Sequence, residues 1–204
     1  MIGRVVPAVL LLAVSACGAE PAPPAPGTGL PDRNSAASTC PEGGAEISAL
    51  NGEAAMGLRV LTLEMRNCGT ETLRIDGYPD VRLLDEDGQP LEVRVEHGSA
   101  AISRIDSFEV PPAGFALGPG DRATAGVVWR NTYDDTTHPP QVGAKIDIAP
   151  LAGLPRQVFT PRLGPDGGTP SPDSPATTID LGSTGRIGLS PWRAPEGQGD
   201  RPRP

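Results

Sequence analysis

Apolar and polar residues alternate in several short stretches between residues 40 and 160, with the period of two that a half-buried β-strand requires. In "LEVRVE" one face consists of Leu91, Val93 and Val95. The same alternation runs through "ATAGVVWR" at 123–130 and "KIDIA" at 145–149. Turn-forming Gly, Pro, Asn and Asp separate these runs, and they interrupt any helical period in the first half of the chain. The pattern predicts an all-β protein, an antiparallel β-sandwich.

One stretch, "GLRVLTLEMRN" at 57–67, changes its alternation part-way. Leu58 and Val60 lie on one face, whereas Leu61 and Met65 lie on the other. Such a change indicates either a β-bulge or a central strand that is covered on both sides. Near the C-terminus, "IGLSPW" at 187–192 predicts a final strand.

The N-terminus has the features of an export signal. Arg4 is followed by an apolar run from Val5 to Val14. That run is shorter than the roughly 20 residues of a membrane span, but it suits the core of a signal peptide. The order Val14-Ser15-Ala16-Cys17 resembles the bacterial lipobox. We therefore expect a lipoprotein signal peptide at 1–16 and a lipidated Cys17, with ordinary signal cleavage nearby as the alternative.

Composition divides the remaining chain. Residues 17–39 are rich in Pro and Ala, which predicts a disordered linker that acts as a stalk. Residues 40–193 contain enough Val, Ile and Leu for one sandwich domain, with a Pro/Gly-rich insertion at 161–176. Residues 194–204 are predicted to form a disordered tail. The protein is thus expected at the cell membrane, lipid-anchored on the extracytoplasmic face, with no transmembrane helix.

The cysteines fit this location. Thiols oxidise outside the cytoplasm, and a lipidated Cys17 leaves Cys40 and Cys68 as the only two others. No neighbouring His or Cys gives them the spacing of a metal or catalytic site. The count predicts a structural disulfide between Cys40 and Cys68.

Two segments also carry a resemblance. "NCGTETLRIDGYPDVRLLDEDGQPL" has an Asn and a Cys at a strand end, then Gly-Tyr-Pro, then an Asp-x-x-Gly hairpin. "ALGPGDRATAGVVW" has a Leu-x-Pro-Gly turn into a strand. In this order of features the chain resembles the actinobacterial secreted and lipoprotein family catalogued as domain of unknown function 4232. The resemblance implies an immunoglobulin-like sandwich and brings no activity with it. The chain lacks the second cysteine pair that the family often has.

Candidate metal ligands occur in one place. "YDDTTH" brings Asp134, Asp135 and His138 into one polar loop, which suggests a site for a divalent ion. Two carboxylates and one imidazole are fewer ligands than a structural zinc site uses, and a solvated loop is the ordinary interpretation. Asp85–Gly88 has the residues of a turn, not of a calcium loop. We expect no metal and no cofactor.

The sequence contains no recognisable catalytic motif. "GLSPW" is not Gly-x-Ser-x-Gly, and "GSTGRIG" lacks the Lys-Ser/Thr of a phosphate loop. We therefore expect no catalytic residues and no enzyme. Tyr78, Trp129 and Trp192 are candidates for lining a ligand site, although such residues more often pack in the core. The ligand itself stays unknown.

A net charge of −8 argues against nucleic acid as a partner. The expected function is a non-enzymatic binding or interaction module, anchored to the membrane, with an envelope protein or glycan as partner. Metal handling by the Asp134, Asp135 and His138 loop is the alternative. Long connections at 98–120 and 131–143 are expected to contact the partner, because long loops are usually functional or disordered.

Overall fold

The structure, a computed structural model, describes residues 40–137 and 139–194, which belong to one compact unit. The predicted signal peptide, Cys17, the linker, His138 and nearly all of the tail lie outside the described residues. The strands of the described part are β1 (Ala45–Ala55), β2 (Leu58–Asn67), β3 (Leu73–Ile75), β4 (Asp80–Leu84), β5 (Arg94–His97), β6 (Phe115–Leu117), β7 (Arg122–Arg130), β8 (Val142–Gly143), β9 (Lys145–Ala149), β10 (Gln157–Phe159), β11 (Ile179–Asp180) and β12 (Arg186–Leu189).

Helical structure in this part of the chain is confined to two short 3₁₀ helices, Asp106–Phe108 and Pro165–Gly167. No helix there has the length and hydropathy that a membrane crossing requires.

The larger sheet has five strands in the order β1-β2-β7-β12-β5. β2 and β7 are antiparallel, from Leu58 opposite Arg130 to Arg66 opposite Arg122. A smaller sheet has the order β10-β9-β4 and is antiparallel throughout. The prediction of an all-β, antiparallel fold is confirmed. One pair departs from it, because β5 runs parallel to β12.

The inner face of the larger sheet supplies half of the core. Leu61, Leu63 and Met65 alternate along β2 and are buried, and Val127 and Ala125 lie opposite them on β7. Each fully buried side chain of the Leu or Met type contributes about 1.5–3 kcal/mol to folding. The period of two in the sequence therefore predicted the buried face of these strands correctly.

The change of alternation in β2 also has an explanation. β2 pairs with β7 without a register shift and lies between β1 and β7. Leu58 and Val60, on its outer face, are half-buried. The stretch is therefore a central strand of the sheet and not a bulged one. The register shift of this hairpin is in β1, between Ala49 and Asn51.

The smaller sheet supplies the other half of the core. Ile146 and Ile148 on β9 lie opposite Leu83 and Val81 on β4, and all four are buried. They belong to the same hydrophobic cluster as the inner face of the larger sheet. The two sheets thus enclose one core between them.

Residues 98–114 cover the outer face of the larger sheet. Phe108 is buried against Gly126 of β7, where an added Cβ would lie 2.4 Å from the Phe108 ring. Glu109 fixes the start of the segment, because its Oε1 accepts hydrogen bonds from Ser99 N and Ser99 Oγ, both at 2.8 Å. These bonds hold the pKa of the Glu109 carboxyl below its usual value. Within the first predicted contact loop, Ser99 and Phe108 are therefore buried, whereas residues 110–114 are exposed.

Two features hold the end of β2. The sulfurs of Cys40 and Cys68 are 1.98 Å apart, as expected for the predicted disulfide. Beside them Asn67 is fully buried, and its Nδ2 donates to the carbonyls of Glu71 and Leu117, both at 2.8 Å. A buried amide is tolerated here because its donors have partners. Asn67 and Cys68 thus have structural roles: they link the end of β2 to neighbouring segments of the chain.

One predicted strand differs from the structure, and another predicted strand is present. "LEVRVE" was predicted to form one strand with Leu91, Val93 and Val95 on a shared face. β5 begins only at Arg94, and Val95 is 39% exposed, whereas Leu91 and Val93 are half-buried against the core. β5 is an edge strand, so one of its sides has no neighbour in the sheet. The final strand predicted near 187–192 is present as β12.

Candidate functional site

The loop with Asp134 and Asp135 is exposed, and Ser183 helps to hold it. Ser183 Oγ donates to Asp134 Oδ1 at 2.6 Å and accepts from the backbone N–H groups of both aspartates at 3.1 Å. Within residues 40–137 and 139–194, no three His, Cys, Asp or Glu side chains form a group that would hold a metal. His138 lies outside those ranges, so the metal site stays a prediction.

A cleft of about 630 Å³ lies at the β1–β2 hairpin end of the larger sheet, on its inner face. Its floor is formed by Arg59 and Leu61 of β2 and by Trp129 of β7. Leu163 in the Pro/Gly-rich insertion lines the opposite wall, together with Ile179 of β11. We call it the insertion cleft, since the insertion and β11 cover the part of the sheet that the smaller sheet leaves open.

The insertion is packed closely on β1. A Cβ added to Gly52 would lie 2.7 Å from Leu163 Cδ1, and one added to Gly167 would lie 2.1 Å from Gly52 O. Gly167 also has a φ of 79°, which favours glycine. Within the insertion, Arg162 Nη1 donates to Ser174 O at 2.6 Å. Glycines at two facing positions thus allow the insertion to form an ordered wall of the cleft.

Trp129 is the unusual residue of the floor. Its side chain is 6% exposed, and its Nε1 is buried without a hydrogen-bond partner in the described part of the chain. Trp192 provides the contrast, because its Nε1 donates to Pro150 O at 2.7 Å. An unpaired buried donor costs about 1–3 kcal/mol. A ligand oxygen that reaches Nε1 would remove that cost.

Charged residues line the same cleft as Trp129. Arg59 lies directly opposite Trp129 in the β2–β7 register, and Glu53, Asp166 and Asp180 also line the cleft. Among the described residues, Arg59 forms no ion pair, and Nη1 donates to Leu58 O at 3.2 Å. The cleft therefore has one guanidinium with donors to spare and three carboxylates.

Asp180 is held in its ionised form. Burial raises the pKa of its carboxyl, but hydrogen bonds from Tyr133 Oη and from Gly182 N outweigh burial, so the pKa lies below its usual value. The positive charge of Arg59 acts in the same direction. The hydrogen bond to Asp180 raises the pKa of the Tyr133 hydroxyl. Asp180 is consequently an anion at neutral pH.

A second groove, of about 690 Å³, lies beside β4 and β5. Here the rings of Tyr78 and His97 are stacked, with centroids 3.8 Å apart and planes 4° from parallel. Asp80 at its edge is paired with Arg156, whose Nη1 is 2.7 Å from Asp80 Oδ2. The unpartnered buried side-chain atoms of the described residues are Trp129 Nε1 and one glutamine oxygen, and neither lines this groove. The insertion cleft is therefore the better candidate site.

Comparison with known proteins gives one match. The model of a family described as a domain of unknown function (DUF4232) matches residues 40–192, which is most of the chain. The chain belongs to the DUF4232 family. No curated protein and no solved structure matches it.

The motifs that suggested DUF4232 have structural roles in this chain. Asp85 Oδ1 accepts from Gln89 N at 2.7 Å and closes the β4 turn. Gly120 N donates to Asn67 O at 2.8 Å, which joins the Leu-x-Pro-Gly turn to the end of β2. Gly77 O accepts from Trp192 N at 2.9 Å. None of these residues lines the insertion cleft. In this chain the motifs that suggested DUF4232 therefore stabilise the fold, and none of them forms part of the cleft.

Sequence reasoning found part of the site. Trp129 was a candidate for a ligand site, whereas Arg59 and Asp180 were not. A signal for Arg59 was present, because it occupies a position that the alternation of Leu61 and Leu63 assigns to the core. Asp180 had no such signal, since β11 is only two residues long. Its position depends on the pairing of β11 with β8, far away in the sequence.

Proposed function

We propose that this DUF4232 protein is a lipid-anchored, non-enzymatic binding module that holds a small polar ligand in the insertion cleft on the extracytoplasmic side of the membrane. The observation that carries the proposal is the buried indole N–H of Trp129, which has no partner within the described residues and belongs to a side chain that lines the cleft. The volume of about 630 Å³ falls within the range of small-molecule pockets.

The composition of the cleft supports binding more than catalysis. The lining that the structure describes contains no His, Cys or Ser, so its candidates for nucleophile or general base are two threonines and three carboxylates. Within the described part of the chain, neither threonine hydroxyl is hydrogen-bonded to a carboxylate. Asp180 accepts hydrogen bonds in its ionised form, so it is a poor general acid at neutral pH. Rigid β-strands hold Arg59 and Trp129, which suits recognition of an unchanged ligand.

The first test uses the two tryptophans as internal reporters. Since the chain has only two, a ¹⁵N-labelled mature protein gives two indole N–H signals, and Trp129→Phe assigns them. We expect the dialysable fraction of a digest of the host's cell envelope to shift the Trp129 signal. The Trp192 signal should stay in place, because its N–H already donates to Pro150 O.

The same experiment examines turnover. Material that shifts the Trp129 signal should be recovered with an unchanged mass after prolonged incubation. A Trp129 signal that no fraction moves would show that the cleft is not a binding site, and a changed mass would show that the protein is an enzyme.

The second test concerns the anchor. Cys17→Ala removes the thiol that the lipobox-like sequence offers for acylation. Because acylation of this residue provides the anchor, with each buried methylene contributing about 0.8 kcal/mol, we expect the variant to lack the diacylglyceryl group and to retain residues 1–16. Ser35→Ala, in the predicted linker, is the matched control and should be acylated, lose residues 1–16 and stay with the membrane. Wild-type protein in the soluble fraction, or an unmodified Cys17 peptide in its mass spectrum, would contradict the anchor.

A further inference from the structure

We infer that the ligand of the insertion cleft is a zwitterion of the short-peptide class, with its carboxylate on Arg59 and Trp129 and its ammonium group facing Asp180. This inference rests on the proposed function and adds the chemical class of the ligand. It follows from the donors on the floor, the charges around them and the apolar walls.

Two residues with side-chain N–H donors lie side by side at the floor of the cleft. Arg59 and Trp129 are directly opposite each other on neighbouring strands, and both line the cleft. Directly opposite residues have Cβ atoms about 4.5–5.5 Å apart, so one ligand group can contact both side chains. The guanidinium fork of arginine matches the two oxygens of a carboxylate. A carboxylate is thus a suitable acceptor for this pair.

The surrounding charge limits which anion can bind. Glu53, Asp166 and Asp180 line the same cleft, so three carboxylates accompany one guanidinium. A dianion such as phosphate would be repelled by this excess of negative charge. A ligand that carries an ammonium group near its carboxylate has an opposite charge for both the guanidinium and the carboxylates of the cleft. The ionised Asp180 provides a fixed negative charge for that ammonium group.

The walls select the rest of the ligand. Leu61, Leu163 and Ile179 supply aliphatic side chains to the cleft. The cleft volume of about 630 Å³ is sufficient for a peptide of a few residues. A neutral saccharide would leave the charges of the cleft without counter-charges. Small apolar residues between charged termini fit the lining better.

The probe is L-alanyl-L-alanine, titrated into the labelled mature chain while the two indole signals are followed. We expect a saturable shift of the Trp129 signal and none of the Trp192 signal. N-acetylation or C-terminal amidation of the dipeptide should each weaken binding about tenfold, the effect of losing one charge-assisted hydrogen bond. Inorganic phosphate and cellobiose are the comparison ligands and should leave the Trp129 signal unchanged.

Variants are measured by calorimetry, because Trp129→Phe removes the reporter. Arg59→Gln should weaken dipeptide binding about tenfold, and Trp129→Phe, which keeps an aromatic ring, about fivefold. Arg74→Gln is the matched control, since Arg74 is exposed on β3 and does not line the cleft. Thermal melts of each variant establish that it is folded.

The possible results separate the inference from the proposed function. If cellobiose or phosphate saturates the Trp129 signal and the dipeptide does not, the cleft binds a ligand but the zwitterion inference is wrong. Equal binding of the free and capped dipeptides, or dipeptide binding that Arg59→Gln leaves intact, would also overturn the inference. If neither the dipeptide nor the envelope digest moves the signal, the proposed function fails as well.

Discussion

Replacing Trp192 with alanine should lower the free energy of unfolding by about 3–5 kcal/mol, the usual cost of removing a buried Trp or Phe side chain. Trp192 is 2% exposed and is among the largest fully buried side chains of the described core. It follows β12, and its Nε1 donates to Pro150 O at 2.7 Å. Its loss would therefore leave both a cavity and a carbonyl without its donor.

Urea unfolding followed by far-UV circular dichroism measures this effect. Trp192→Phe separates the two causes, since it keeps most of the ring but removes the N–H, and it should cost about 1–3 kcal/mol. Trp129→Phe is the control at the other tryptophan. Because Trp129 Nε1 has no partner among the described residues, that change should cost less than Trp192→Phe. A larger loss for Trp129→Phe would contradict the hydrogen-bond assignments.

Removing the disulfide by the double change Cys40→Ser and Cys68→Ser should lower stability by about 3–4 kcal/mol. The bridge joins residues 28 positions apart, and the estimate comes from the chain entropy that a loop of this length loses in the unfolded state. That is a large share of the roughly 5–15 kcal/mol by which a typical domain is stable.

Denaturant unfolding of exported protein, with and without reductant, provides the measurement. Reduction of the wild type should reproduce the loss seen in the double variant, and reductant should leave the double variant unchanged. The fold should survive, because Cys68 N and Gly69 N still donate to Gly44 O at 2.9 and 3.2 Å. A stability change below about 1 kcal/mol would show that the bridge adds little beyond these hydrogen bonds.

Only part of the candidate site could be predicted from the sequence. Trp129 was identifiable because aromatic residues are few and each can be weighed as a ligand contact. Its partners on the floor and rim were not, because Arg59 and Asp180 are 121 positions apart along the chain. The cleft exists only because the insertion packs on Gly52, and a Pro/Gly-rich composition does not indicate whether such a segment is packed or free. The anchor at Cys17 and the metal alternative with His138 stay predictions.

By itself the sequence determined the features that depend on neighbours along the chain. The period of two predicted the strand and the shared face of Leu61, Leu63 and Met65, and the cysteine count, with Cys17 taken as the lipidated residue, predicted the pairing of Cys40 with Cys68. Turn residues determined the hairpin after β4. These features are local, or have a single solution, so composition and spacing are sufficient to predict them.

Only the tertiary structure decided which segments lie side by side. The parallel pairing of β5 with β12 left Val95 exposed on an edge strand, although its alternation is that of a buried face. Residues 98–114 cover the outer face of the larger sheet because Gly126 leaves room for Phe108. The alternation of apolar and polar residues along a strand indicates which side chains share a face, but it does not indicate which segment will cover that face. That choice depends on contacts between distant parts of the chain, and the same contacts formed the insertion cleft.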